Sequence, residues 1–174
     1  MSDALRQIAE LLERAAVPYA VIGAHAVNAW AEPRFTADLD VTACATREDM
    51  ERLRRALGVG GYVERVAHGG SLPSGPDFVR FVSRDGGSII EVQAAKTDLQ
   101  RSVVDRALRL ESGLRVATVE DLLVLKLIAD RPKDQGDLAS LSARADIDWS
   151  YVERWCREWE IEDRLRRLRA RLSR

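Results

Sequence analysis

The stretch "VIGAHAVNAWAEPRFTADLDV", residues 21–41, carries the pattern that decides the fold. A short apolar run ends at Gly23. An alanine-rich helical run follows directly. Then two aspartates, Asp38 and Asp40, flank Leu39 where a second apolar run begins. Residues two apart on a strand share a face. Asp38 and Asp40 therefore stand on one side, with Cα atoms about 6.5 Å apart, and Leu39 points the other way, into the core. Carboxylates so close repel each other unless a cation lies between them. Magnesium suits that role, because it takes oxygen ligands and keeps positions open for water and phosphate. The plain alternative is a solvated strand edge. Upstream, Gly23 lets a phosphate approach the backbone, and the helix start after it offers free N–H groups. An anion cradle beside a divalent-metal site is the pairing that phosphoryl and nucleotidyl transfer requires.

Elements are expected outward from this stretch by hydrophobic period. Leu5, Ile8, Leu11, Leu12 and Ala15 recur at helical spacing, so a helix is predicted from about Asp3 to Ala16, stopped by Pro18. "YAVIG" and "LDVTA" read as strands. "TREDMERLRRALG" reads as a helix capped by Thr46, with Gly58 beyond its end. "GYVERV" reads as a further strand. "DFVRFVS" and "SIIEVQ" read as a hairpin closed by "RDGG". "DLQRSVVDRAL" is predicted helical and "LRVAT" a brief strand. Thr118 caps the leucine-rich "VEDLLVLKLIAD", with Asp121 at the capping-box position. Pro132 opens the next helix, and one or two helices follow from Asp148. The expected fold class is α/β: a small mixed β-sheet core flanked by helices, with a helical C-terminal lobe. The expected division is 1–110 for the α/β core and 111–174 for the lobe, the two forming either separate lobes or one compact unit.

Bulk properties narrow the function. The chain has 174 residues, 46% of them hydrophobic, and a formal net charge of −1. No global field draws it to a polyanion. The local exception is the basic end "RLRRLRARLSR", read either as a helix packing by Leu165, Leu168 and Leu172 or as an RNA-backbone contact. Cys44 and Cys156 have no metal-ligand spacing and are expected to be reduced thiols of a cytoplasmic protein. The N-terminal segment reads as an amphipathic helix and is not expected to be a signal peptide, and no apolar run reaches the roughly 18 residues of a membrane span.

Other residues have two readings each. Glu91, inside "SIIEVQ", is either an outward strand position or a third carboxylate; Ile89 and Val92 do not alternate cleanly with it. Arg34 is either a phosphate-pairing guanidinium or a loop arginine. His25 is a cap or a site-wall residue. Lys126 interrupts a leucine-rich helix as a polar seam or a snorkelling stem. Arg131, Lys133, Asp134 and Asp137 surround a helix start and include helix ion pairs. His68 lies in the loop "AHGGSLPSGPD", a candidate substrate lid.

Residues 21–41 resemble the nucleotidyltransferase superfamily of DNA polymerase β type, most closely its AbiEii-like branch, bacterial proteins known largely from toxin–antitoxin and phage-defence systems. That family's first motif is Gly-Gly or Gly-Ser, a spacer, then Asp-x-Asp or Asp-x-Glu, often preceded by Arg-x-Thr, as Arg34 and Thr36 stand here. A later family segment, an acid-capped leucine-rich helix, a lysine and a basic and acidic cluster, is similar to "TVEDLLVLKLIADRPKDQGDLASL". The resemblance runs from about Pro18 to Leu141, with a poorly matched middle. It implies transfer of a nucleoside monophosphate from an NTP to an acceptor hydroxyl, dependent on Mg2+ or Mn2+. It implies Asp38, Asp40 and Glu91 as metal-binding catalytic carboxylates. Gly23 and Ala24 would lie under the triphosphate, Arg34 and Thr36 beside it. Lys126 would reach phosphate, and Asp134 or Asp137 would act on nucleotide or acceptor. Ala24 departs from the family's Gly or Ser, so a phosphate there meets a backbone N–H and no hydroxyl.

The expected function is thus a metal-dependent nucleotidyltransferase whose acceptor is an RNA end, tRNA foremost, or a protein side chain, in a toxin or defence setting with a cognate antitoxin as a further partner. The rival is a catalytically idle relative acting as partner subunit or antitoxin. A small-molecule acceptor such as an aminoglycoside is disfavoured, because no acidic cluster stands out beyond the metal site.

Overall fold

A computed structural model describes residues 3–43, 46–69 and 77–173. Cys44 and most of the glycine-rich loop, the expected lid, lie outside the described residues. Helix α1 (Asp3–Arg14) precedes strand β1 (Tyr19–Ile22), and α2 (Gly23–Trp30) starts at the next residue. Strand β2 (Asp38–Ala43), helix α3 (Arg47–Val59) and strands β3 (Tyr62–His68), β4 (Phe78–Ser83) and β5 (Ile89–Ala94) follow. Then come α4 (Asp98–Asp105), the short strands β6 (Leu108–Arg109) and β7 (Arg115–Val116), α5 (Val119–Ala129), a 3-10 turn (Pro132–Asp134), α6 (Gln135–Ser142), α7 (Trp149–Glu158) and α8 (Glu162–Leu172).

The strands form one seven-stranded mixed sheet in the order β3-β4-β5-β2-β1-β7-β6. The α/β class is as the sequence led one to expect. β2 runs antiparallel to β1 and parallel to β5. The predicted hairpin is present: β4 and β5 are antiparallel, and the Ser83 N–H donates to the Ser88 carbonyl at 2.9 Å to close it. Thr46 caps α3 in a full capping box with Asp49, an arrangement worth about 1 kcal/mol. The helix runs on past Gly58, and Gly60 takes the cap position instead.

The chain divides into two compact units. The first comprises Met1–His25 and Phe35–Ala117, the second Ala26–Arg34 and Thr118–Arg174. The expected boundary was 110, whereas here β6 and β7 join the sheet and Thr118, as the N-cap of α5, opens the second unit's helices. The chain also changes unit within α2, which no composition shift marks.

In the first unit Leu39, Val41, Val79, Phe81, Ile90 and Val92 are buried, and Asp40, Arg80 and Glu91 between them are more exposed. In the second unit α5 is packed on several sides, which is why Leu122, Leu123, Val124 and Leu127 are all buried. Its fully buried Asp121 accepts hydrogen bonds from Thr118 Oγ1 (2.8 Å) and from the Tyr151 hydroxyl of α7 (2.5 Å). Those donors satisfy the acid that burial would otherwise penalise.

The basic end is a packed helix. Leu165 and Leu168 are buried, while Leu172 is exposed. Arg164 donates to the carbonyls of Leu127 and Ile128 (2.9 and 2.7 Å), covering the last turn of α5. Arg167 pairs with Asp163 and Asp130, and Arg169 with Glu153. Cys156 is a free, buried thiol, and burial pushes its pKa up to about 11. No helix among the described residues is long and apolar enough to cross a membrane.

Candidate active site

The strand register assembles the first candidate group. Asp38 and Asp40 alternate with buried Leu39 and Val41, so both carboxylates emerge from the face opposite to those side chains. β5 lies beside β2 with Glu91 directly opposite Asp40, and β4 lies beyond it with Arg80 opposite Glu91. Paired positions on neighbouring strands share a face. Asp40, Glu91 and Arg80 thus form a lateral row, and Asp38 stands one pleat along. Glu91 alternates regularly after all. Ile90, Val92 and Ala94 are the core positions, and Ile89 sits on the half-buried side with Glu91.

Gly23 fits this group for a steric reason. Its φ is +64°, and a Cβ built there would lie 2.0 Å from Asp40 Oδ2. The Asp40 carboxylate occupies the space that any side chain at position 23 would need. It therefore rests against the first residue of α2, where the helix dipole favours negative charge. Ala24 is the next residue of that helix. His25 follows, within electrostatic range of Asp38. Burial lowers its pKa below 6.5 and the Asp38 charge opposes this without cancelling it, so the ring is neutral near pH 7. Thr36 Oγ1 donates to the Asp38 carbonyl at 3.4 Å, tying the loop to the start of β2.

The donor set suits a hard divalent cation: three carboxylates, one sheet face, adjacent register. Among the described residues no three acidic, histidine or cysteine side chains are already gathered as ligands. Glu91 Oε1 accepts from Arg80 Nε at 2.7 Å and also pairs with a terminal guanidinium nitrogen. The sequence reading missed Arg80. Its signal was available, since Val79 and Phe81 point inward and the hairpin closed by Ser83 and Ser88 brings residue 80 opposite 91.

The second unit gathers other expected residues into a different group. Lys126 Nζ donates to Asp134 Oδ1 (3.1 Å) and Asp137 Oδ2 (2.7 Å). Arg34 grips Asp137 by both oxygens (3.0 and 2.9 Å), and Arg131 grips Asp134 the same way (2.6 and 3.1 Å). The side chains of Lys126, Asp134 and Asp137 are at most 7% exposed. Burial raises both aspartate pKa values, but the bonds from Arg131 and Lys126 on Asp134, and from Arg34 and Lys126 on Asp137, outweigh it and hold both below 3.8. The Arg34 backbone is fixed as well: Asn28 accepts from its N–H (3.0 Å) and donates to its carbonyl (2.7 Å). Lys126, expected to reach phosphate, is here committed to two buried carboxylates. Asp134 and Asp137, expected to act on nucleotide or acceptor, are each bonded to two cations. The Arg34–Asp137 pair joins residues 103 apart, which spacing in the sequence does not show.

A strand–glycine–helix turn with acids on the neighbouring strand, on a mixed sheet followed by helices, defines the nucleotidyltransferase class. The chain belongs to the family described as "Nucleotidyltransferase of unknown function (DUF6036)", whose profile matches residues 1–171. That supports the superfamily; likeness to the AbiEii-like branch rests on the sequence segments alone. Three solved structures are similar in fold. ANT(2'')-Ia in complex with adenylyl-2''-tobramycin has a TM-score of 0.51 at 14% identity, covering 98% of this chain and 99% of that one. A solution structure of the antibiotic-resistance factor ANT(2'')-Ia has a TM-score of 0.50 at 14% identity, covering 98% and 91%. JHP933 from Helicobacter pylori has a TM-score of 0.50 at 20% identity, covering 83% of this chain and 68% of its own. No curated protein sequence matches the chain.

Proposed function

We infer that the protein transfers a nucleoside monophosphate from an NTP to an acceptor hydroxyl, using Asp38, Asp40 and Glu91 with Mg2+ or Mn2+. The observation that carries this reading is the register placing Glu91 beside Asp40, on the face that Asp38 shares. These three carboxylates would hold the metal, which when bound supplies charge neutralisation of the triphosphate and acidifies the acceptor hydroxyl. The backbone of Gly23 and Ala24 at the start of α2 receives phosphate oxygens. The acceptor oxygen forms a bond to the α-phosphorus, the α–β phosphoanhydride bond breaks, and pyrophosphate leaves. The hydroxyl proton passes to a carboxylate of the row or through it to water. Neutral His25 lines the site beside Asp38 without adding positive charge.

The acceptor is an RNA end or a protein side chain. A toxin or phage-defence setting rests on the two segments that resemble the AbiEii-like branch. The ANT(2'')-Ia complex with adenylyl-2''-tobramycin shows, for that protein, a nucleotidyl group joined to a small molecule. A small hydroxylated acceptor is therefore a third arm of the test. In α8, Arg167 pairs with Asp163 and Asp130 and Arg169 with Glu153, so part of its basic face is already engaged by acids.

The experiment is incubation with Mg2+ and each α-32P NTP, offering cell RNA, lysate protein and tobramycin in separate arms, with Asp38→Asn and Asp40→Asn alongside. Label in one arm, reduced roughly 100-fold or more in either variant, supports the reading and names the acceptor class. Label that persists in Asp40→Asn overturns it. Absence of label with every nucleotide, together with undiminished binding of a partner protein by Asp40→Asn, supports the idle relative instead.

A further inference from the structure

Several arginines of this protein hold carboxylates in the two-pronged way that the guanidinium fork favours. Arg34 on Asp137, Arg131 on Asp134, Arg54 on Glu64 and Arg144 on Asp146 each touch both carboxylate oxygens. Arg80 does not. Its Nε and its terminal nitrogen both fall on Glu91 Oε1, so Oε2 stays outside the guanidinium's grip. The difference is not forced by distance along the chain, because the two residues are a direct cross-strand pair.

We propose that Arg80 is the positioning residue of the metal site, fixing Glu91 by one oxygen and leaving the other for the cation that Asp38, Asp40 and Glu91 would hold. This rests on the reading of Asp38, Asp40 and Glu91 as metal ligands. A carboxylate on a strand has free χ angles and would otherwise sample several rotamers. A guanidinium on the neighbouring strand removes that freedom, and outer partners of this kind commonly set metal affinity by 10- to 100-fold. The charge arithmetic agrees. Three carboxylates on one face repel one another, and one fixed cation at the end of the row offsets part of that repulsion without standing between Asp38 and Asp40. Glu91 is only 18% exposed and Arg80 44%, so the carboxylate is set into the sheet face and the guanidinium reaches it from the solvent side.

The test is Mn2+ binding to the full chain, read from the paramagnetic resonance signal of free Mn2+, with no turnover involved. The set is wild type, Arg80→Met, Arg80→Lys, Glu91→Gln, Asp40→Asn and the Arg80→Met/Glu91→Gln double variant, with melting temperatures as a folding control. Arg80→Met is expected to bind Mn2+ roughly 10-fold more weakly. Arg80→Lys, which keeps one charge on Oε1, falls between it and wild type. The double variant binds no more weakly than Glu91→Gln, because Arg80 acts through that carboxylate. Arg80→Met binding as tightly as wild type, or more tightly, while Glu91→Gln is weakened, overturns the proposal and makes Arg80 a bystander or a competitor of the metal. A double variant weaker than Glu91→Gln also overturns it. Wild-type binding that neither Glu91→Gln nor Asp40→Asn weakens removes the metal reading itself, and the role of Arg80 with it.

Discussion

The two units use the same chemical vocabulary in opposite ways. On the sheet face, Asp38, Asp40 and Glu91 are partly exposed, and the arginine bonded to Glu91 takes one oxygen. In the helical unit, Asp134 and Asp137 are buried, and Lys126, Arg34 and Arg131 bond to all four of their oxygens. Excess negative charge kept near water costs little and remains available to a cation. A buried ion cluster, by contrast, has spent its bonding capacity on itself, and breaking it leaves charge unpaired. The comparison sets a face whose negative charge is open to a cation against a cluster whose charges are already paired.

The largest effect that would sharpen this contrast is expected from Lys126→Met. It leaves two buried aspartates short of a partner, and such losses run to about 3–5 kcal/mol. A melting curve or urea titration checks it. A stability change under 1 kcal/mol would make Lys126 a spare cation and return it to the phosphate role that the sequence resemblance implied.

Acid should attack the same cluster next. Both aspartates are held below 3.8 when folded, so their stabilising contribution is present above the unfolded value and disappears as pH falls through the folded values. Melting temperature followed from pH 7 to pH 2.5 is expected to be little affected by this cluster down to about pH 4 and then to fall. In Asp137→Asn that acid-dependent part of the fall should shrink. An unchanged profile in the variant would break the link.

Gly23→Ala comes third. The added methyl meets Asp40 Oδ2 in a backbone conformation that favours glycine. More than about 1 kcal/mol of stability should be lost, together with transfer activity, since Asp40 must move. Retained activity at wild-type stability would show that the carboxylate does not depend on that space. The smallest effect is expected from Arg167→Ala, whose pairs with Asp163 and Asp130 are exposed; the melting temperature should stay close to wild type. The same melting assay reads it, and a larger loss would give α8 a structural weight its surface pairs do not suggest.

Periodicity made much of the fold legible. The amphipathic α1, the Thr46 and Thr118 caps, the hairpin around "RDGG" and the strand holding Asp38 and Asp40 all follow from local patterns. The neighbours of β2 do not, because its parallel pairing with β5 spans α3 and two strands, and nothing local selects it. That pairing is what turned Glu91 from an ambiguous strand acid into the neighbour of Asp40. Ile89 misled the reading of that strand, since a half-buried isoleucine on the polar face hides the alternation set by Ile90 and Val92. The helical cluster was legible as charged residues near a helix start, but not as a closed network. Arg34 arrives from a loop far upstream, and a lysine among leucines looks the same whether its ammonium reaches a ligand or a buried aspartate. Residues 108–109 were invisible as a strand because two residues carry no period.

The sharpest single measurement compares Asp40→Asn with Asp137→Asn for nucleotidyl transfer and melting temperature in the same preparation. If the sheet face is the chemistry and the helical cluster the framework, Asp40→Asn loses transfer while melting within a few degrees of wild type. Asp137→Asn then melts markedly lower, and the fraction still folded transfers at close to the normal rate. The opposite result, transfer surviving in Asp40→Asn and vanishing in a stably folded Asp137→Asn, would place the chemistry on the helical unit and contradict the assignment of the active carboxylates.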